Sequence, residues 1–208
     1  MDIVEKASLQ PSESSAGRAG ISLVDPWATP MKGEVEVIRW LGKVGSGKIV
    51  ERWRDRNLVV TLARRIMSRL VSGASPDVTP AVPVIHTETR GDFTITNPNQ
   101  LYITKMKWGI GGHNPLSPTT PVDPVPTDEA LYTPLPVAPA FKLVTVDYPA
   151  INSVRFTASL EQSEANGQPI SEVGLFTNEH DLLFARKTFG ILTKSAEFEF
   201  EFRWTLIF

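Results

Sequence analysis

The last twelve residues restrict the fold more than any other stretch of this chain. Phe198, Phe200, Phe202, Trp204, Leu206 and Phe208 alternate with Glu197, Glu199, Glu201, Arg203, Thr205 and Ile207. A period of two is that of a β-strand with one apolar face. Burying all six of those side chains would contribute about 1.5–3 kcal/mol each before the entropy of ordering them is counted. A strand this apolar has to be paired and covered, so the chain must build a sheet around its own C-terminus. The three acids on the opposite side of the strand read as a solvated face rather than as a pair of catalytic carboxylates.

Other segments supply partners for that strand. Glu34 to Leu41 alternates, a glycine-rich turn follows from Gly42 to Gly47, and Lys48 to Trp53 reads as the return strand. Phe93–Thr96, Leu101–Trp108 and Ser153–Glu161 read as further strands. Ile170–Thr177 and Leu182–Phe189 flank Asn178-Glu179-His180-Asp181, a hairpin loop. One helix is expected. Leu58, Leu62, Ile66 and Leu70 recur every fourth residue, Asp55 or Asn57 is placed to cap the start, and Ser72-Gly73 to stop it.

Two regions break the pattern. Residues 1–33 form an extended N-terminal arm, small and polar from Gln10 to Gly20, with no strand or helix period. Residues 34–208 form the β-rich domain, interrupted at 115–139 by a proline-rich excursion that cannot be a central strand. Neither region offers enough apolar surface to offset an ordering entropy of ~1–2 kcal/mol per residue, so both are expected to be held by neighbouring subunits. The fold class is therefore mainly β: an antiparallel, sandwich-like domain with one packed helix and an arm.

Composition excludes several functions. The chain has no cysteine, which removes disulfides, thiolate metal sites and a cysteine nucleophile, and fits a reducing compartment. No apolar run approaches the ~20 residues of a membrane span, and Met1 to Lys6 lacks the features of a secretory signal. The net charge of −2 conceals an asymmetry: residues 1–112 carry 15 Lys/Arg against 11 Asp/Glu, and residues 113–208 carry 6 against 12. The halves can attract each other or a neighbouring copy.

The strongest catalytic motif is Gly42-Lys43-Val44-Gly45-Ser46-Gly47-Lys48, which matches the phosphate-binding pattern Gly-x-x-x-x-Gly-Lys. Its eighth position should be a Ser or Thr that ligates magnesium, and here it is Ile49. No alternating strand–helix order follows, so a glycine-rich hairpin turn is the better reading. Leu143 to Asp147 only superficially imitates the acidic partner of such a loop. Gly109 to Gly112 before His113 also reads as a turn. His86, His113 and His180 stand apart without metal-ligand spacing. Lys48, Arg52, Arg54, Arg56, Arg64, Arg65 and Arg69 cluster around the expected helix and suit phosphate contact, but the overall charge is acidic. These residues leave three readings: a structural assembly protein, a nucleotide-binding enzyme using Gly42–Lys48, and a nucleic-acid-contacting module using the arginine-rich helix.

A resemblance separates them. Ile170-Ser171-Glu172-Val173-Gly174-Leu175-Phe176, then Leu183-Phe184-Ala185-Arg186, Lys194, and the ending Trp204-Thr205-Leu206-Ile207-Phe208 resemble virion proteins of tailed bacteriophages, of the tail-collar or baseplate fibre type. Asn57–Val60 and Ile103–Met106 fit the same pattern more loosely. The resemblance implies a repeated structural subunit of the tail, neck, collar or baseplate, assembled in the host bacterial cytoplasm. It implies contacts with other virion proteins and with copies of itself, no catalysis, and no cofactor, metal, membrane or small-molecule substrate. Within the motif, Gly174 leaves room for a bulky neighbour. Glu172 is expected to meet Arg186 or Lys187 across the hairpin, according to register.

Overall fold

The computed structural model describes residues 31–71, 81–82, 93–94 and 98–208. The C-terminal alternation forms β13, Phe198–Ile207, and it is a central strand: β1 (Lys32–Leu41) pairs on one side of it and β10 (Ser153–Leu160) on the other. Phe200, Phe202, Trp204 and Leu206 all point into the core, because every second residue of the strand faces the same way. β2 (Lys48–Val59) lies outside β1, and β9 (Thr145–Ala150) lies outside β10.

A second set of strands faces this one. β11 (Pro169–Thr177) pairs with β12 (Leu183–Thr193) through the expected hairpin, and on its other side with β5 (Ile103–Gly109). β8 (Lys142–Leu143) adds to β5. Among the described residues there are also small two-stranded pairs: β3 (Ala81–Val82) with β4 (Phe93–Thr94), and β6 (His113–Asn114) with β7 (Ser117–Pro121). A 3₁₀ turn, Pro98–Leu101, precedes β5.

The result is mainly β and wholly antiparallel in its named pairs, a sandwich whose two faces join at two corners. At one corner the end of β2 leaves β1, and Leu58 and Val59 pair with Arg186 and Ala185 of β12. At the other, Val144 alone separates β8 from β9, and its N–H bonds the carbonyl of Thr104 at 2.9 Å. The nine-stranded sheet is thereby nearly closed. Trp108 of β5 meets Phe202 of β13 edge-on at 5.5 Å, and Phe189 of β12 meets Trp53 of β2 at 5.4 Å, so aromatic rings fill the space between the faces.

Three expectations change. The helix α1 spans Thr61–Val71, not the stretch from Asp55. Residues Asp55 to Val59 are used by the sheet: Asp55, Arg56 and Asn57 extend the ladder with β1, and Leu58 and Val59 make the corner. Tertiary pairing thus overrides the helical spacing, and neither Asp55 nor Asn57 is a cap. Ala63 and Ile66 still form the buried face of α1, with Leu62 and Met67 beside them. The strand β1 begins at Lys32, inside the stretch assigned to the arm; residues 1–30 lie outside the described part.

The third change concerns the excursion at 115–139, which is held by its own domain. Leu131 and Leu135 are buried in the core. Ile110 donates to the carbonyl of Thr133 at 2.8 Å, and Leu135 to that of Trp108 at 2.9 Å, so the excursion runs as an irregular extra strand along β5. The backbone of Thr119 lies against Gly190 of β12, where a Cβ would collide with it.

Candidate functional site

The buried centre of the molecule is ionic. Glu172 and Arg186 both have fully buried side chains and bond directly at 2.5 Å. They are diagonal neighbours on the hairpin, since Glu172 lies opposite Thr188 and Arg186 opposite Gly174. Of the two partners expected for Glu172, Arg186 is the one found; Lys187 points to the other face and binds Asp55 at 2.6 Å. The glycine allows this packing, because a Cβ at Gly174 would sit about 3 Å from Phe176 and Leu183.

The excursion completes the cluster. Glu172 accepts from the backbone N–H groups of Gly111 (3.2 Å), Thr133 (2.9 Å) and Tyr132 (3.0 Å). Arg186 donates to Asp128 at 2.9 Å and stacks on the ring of Tyr132, 3.2 Å from its centroid. A buried charge is tolerable when it is paired and its lone pairs are satisfied, which is the state of Glu172 here. The chemistry of the pair is that of a clasp tying β11, β12 and the loop over them. Asp128 and Tyr132 carried no signal in the sequence beyond a proline-rich setting.

The glycine-rich stretch Gly42–Gly47 is the hairpin turn between β1 and β2, with Gly42 and Gly45 at φ +86° and +79°. Lys48 begins a strand, not a helix. Several of the loop's amides are engaged elsewhere: Ser46 and Gly47 donate to the carbonyl of Lys43, and Val44 donates to the carboxylate of Glu199 at 2.7 Å. That last contact also corrects the solvated reading for two of the three C-terminal acids, while Glu197 is exposed as expected. Glu199 and Glu201 are only 8% and 6% exposed. Glu201 takes Trp40 Nε1 at 3.1 Å and a two-pronged contact from Arg203. The donors come from Trp40 of β1, from the β1–β2 turn and from Arg203 of β13 itself, which together cover this face of the strand.

The basic residues are likewise distributed by the sheet. Arg52, Arg54 and Arg56 belong to β2, not to the helix, and Arg52 and Arg54 share the carboxylate of Glu36 at 2.7 and 3.1 Å. Burial alone would raise the pKa of Glu36, but the bonds from Arg52 and Arg54 outweigh it and hold the carboxyl below its ordinary value. Arg64 is exposed on α1; the side chains of Arg65 and Arg69 lie outside the described residues. Lys194 is buried against the carbonyls of Ser195 and Gln162 and the amide of Asn166, and burial lowers its pKa.

His113 bonds the hydroxyl of Ser171 at 3.0 Å through Nδ1, His180 sits at φ +61° in the β11–β12 loop, and His86 lies outside the described residues. Among the described residues no group of three His, Asp or Glu side chains is placed to hold a metal ion, and no helix is long and apolar enough to cross a membrane.

The feature that reasoning from sequence missed is an apolar mouth at one end of the sandwich. Here the start of β5 splays from β9. The opening, about 450 Å³, is lined by Tyr102 and Ile103 on one side and by Val146 and Tyr148 on the other, with Phe184 and Leu206 as its floor. Phe208, Tyr102 and Tyr148 at its rim are 48%, 50% and 77% exposed, and Ile151 stands fully exposed in the β9–β10 turn. Val146 lies within Leu143–Asp147, the stretch set aside as imitating an acidic motif, and Tyr148 directly follows it. No family model, no curated protein and no solved structure matches this chain.

Proposed function

We propose that this chain is a structural subunit of a tailed-bacteriophage virion, in the tail, neck, collar or baseplate, and that it acts by protein–protein assembly rather than by catalysis. The observation that carries the reading is the exposed apolar end just described. Large apolar side chains gathered at one rim mark surfaces that meet another protein. Several of the domain's charged groups, by contrast, are tied to one another. Glu172 with Arg186, Glu36 with Arg52 and Arg54, and Asp181 with Lys105 and Lys107 are all internal pairs. The strands that carry the resemblance to virion proteins, β11, β12 and β13, supply the clasp and the central strand. A buried core with paired charges and an apolar rim suits a part that is stacked or ringed with others.

A small epitope inserted at Gly45 tests this. That turn lies at the opposite end of β1 from the mouth, and a Cβ there meets nothing within 4 Å. Labelled particles imaged by electron microscopy should carry the epitope at the tail, neck, collar or baseplate. Complete particles that lack the chain would overturn the proposal. A rise in melting temperature on adding a nucleotide, abolished by Lys48→Ala, would favour the enzyme reading instead.

A further inference from the structure

The β9–β10 turn lies at the same end of the molecule as the apolar mouth and shares its rim. Ala150 pairs with Ser153, so Ile151 and Asn152 form a two-residue tip. Turn positions favour Gly, Asn, Asp and Pro; Asn152 fits that preference and Ile151 does not. Ile151 is fully exposed, so among the described residues nothing covers its side chain. The tip is nonetheless fixed. Phe208 donates its N–H to the carbonyl of Asn152 at 2.9 Å, and the hydroxyl of Ser153 donates to the carbonyl of Ala150 at 3.4 Å. Phe208 is at once an anchor of the tip and part of the rim of the mouth. An apolar knob and an apolar socket thus lie side by side.

Charge does not oppose a contact there. Between Val144 and Asn152 the only charged residue is Asp147. It falls on the face of β9 opposite to Val146 and Tyr148, and Arg155 Nε holds it at 2.9 Å. Covering the tip and the β9 wall of the mouth therefore strands no ion of that hairpin.

The area is also sufficient. At ~200 Å² for a large side chain in the open, Ile151, Tyr148, Tyr102, Phe208 and Val146 leave roughly 600 Å² of their surface uncovered. A contact that uses this patch on both partners removes roughly 1,200 Å² from water, above the ~1,000 Å² that a specific interface needs.

We infer that this end binds a second copy of the chain about a two-fold axis, with the Ile151 tip of each copy seated in the mouth of the other. Phe184 and Leu206 on the floor receive the isoleucine, and Tyr102 and Tyr148 close around it. A second copy is the occupant because knob and socket share one end. One two-fold rotation fills both mouths and covers both tips, and such a contact is self-complementary and closed. A different protein filling the mouth would leave Ile151 bare. The inference rests on the assembly reading above and names the partner of the same surface.

Sedimentation of the full chain should show a monomer–dimer equilibrium. Ile151→Asp should weaken it at least tenfold, without lowering the melting temperature in dilute solution, since that side chain is fully exposed in the monomer. The absence of native cysteine allows the arrangement itself to be checked. Full chains carrying Ile151→Cys and Tyr102→Cys, mixed in equal amounts and mildly oxidised, should link 151 to 102 at least tenfold faster than 151 to 151. A chain still monomeric at ~100 μM, an assembly larger than two, a dimer that Ile151→Asp leaves intact, or preferred 151–151 links would overturn the inference. A dimer disrupted by Ile151→Asp, in a chain that complete particles lack, would overturn the virion role and leave the two-fold contact standing.

Discussion

Arg186 shows how a single residue can join sequence motif, packing and shape. Its guanidinium is wholly buried and holds Glu172 and Asp128 while lying on Tyr132. Replacing it by methionine keeps most of the volume but leaves a buried carboxylate without its cation. Arg186→Met should therefore cost about 3–5 kcal/mol, measured by urea unfolding. The double variant Glu172→Gln/Arg186→Met should recover part of that loss, since the uncompensated charge is gone; equal losses in both would show that packing alone matters. A second expectation concerns pH. Asp181 sits between Lys105 and Lys107 at 2.9 and 3.0 Å; burial would raise its pKa, and the two lysines more than reverse this. Lys187 lowers the pKa of Asp55, and Arg155 that of Asp147. A carboxyl with a lowered folded-state pKa contributes stability above its unfolded value and loses it as pH falls through the folded one. Thermal melts should be level from neutrality to about pH 5 and then decline below about pH 4. Glu36 adds to the same decline. A melting temperature unchanged down to pH 3 would contradict these pairings.

At the scale of elements, β13 has the greatest structural weight. Removing residues 204–208 deletes Trp204 and Leu206 from the core and strips the partners of Val35 in β1 and of Phe156 in β10 at once. The truncated chain should be insoluble or bind a hydrophobic dye strongly; a soluble product with one cooperative melt would show the strand to be dispensable. This strand and the β11–β12 hairpin were legible in the sequence because their period of two is local and unbroken. Gly174 and Glu172 were legible for the same reason, as their partners lie one hairpin away. The start of α1 was not. Leu58 has the spacing of a helix, yet its backbone completes a corner with Arg186, more than a hundred residues distant, and no local pattern announces that. The wet appearance of Glu199 and Glu201 misled similarly: alternation says which side faces out, not whether Trp40 and Arg203 will cover it. The mouth was hidden because it arises where two strands part, and strand separation leaves no mark on either sequence.

For the whole molecule, the two faces of the sandwich are joined at corners but not along their full length, and the excursion at 115–139 is what braces the β5 side. A proline-rich segment has too little apolar surface to order itself, which is why a neighbour was expected to hold it. The domain supplies what the segment lacks. Leu131 and Leu135 enter the core, the N–H groups of Tyr132 and Thr133 are taken by Glu172, and Gly109 pairs with Pro134. Gly109 and Gly112 make this approach feasible, since a Cβ on either would strike Glu172 or Ser171. The excursion and the ionic clasp are thus one cooperative unit: the carboxylate needs those amides to be buried, and the loop needs the carboxylate to be fixed. In a dilute monomer, amide exchange at Tyr132, Thr133 and Leu135 should be slowed to nearly the extent seen in β11. Leu131→Ala should cost about 2–5 kcal/mol, because the core cannot collapse around a side chain held by a proline-stiffened backbone. Glu172→Ala should release exchange at Tyr132 and Thr133 together, whereas a change outside the clasp, such as Ile151→Asp, should leave both protected. Exchange at those amides as fast as in a free peptide would mean that the loop is held by something other than its own domain.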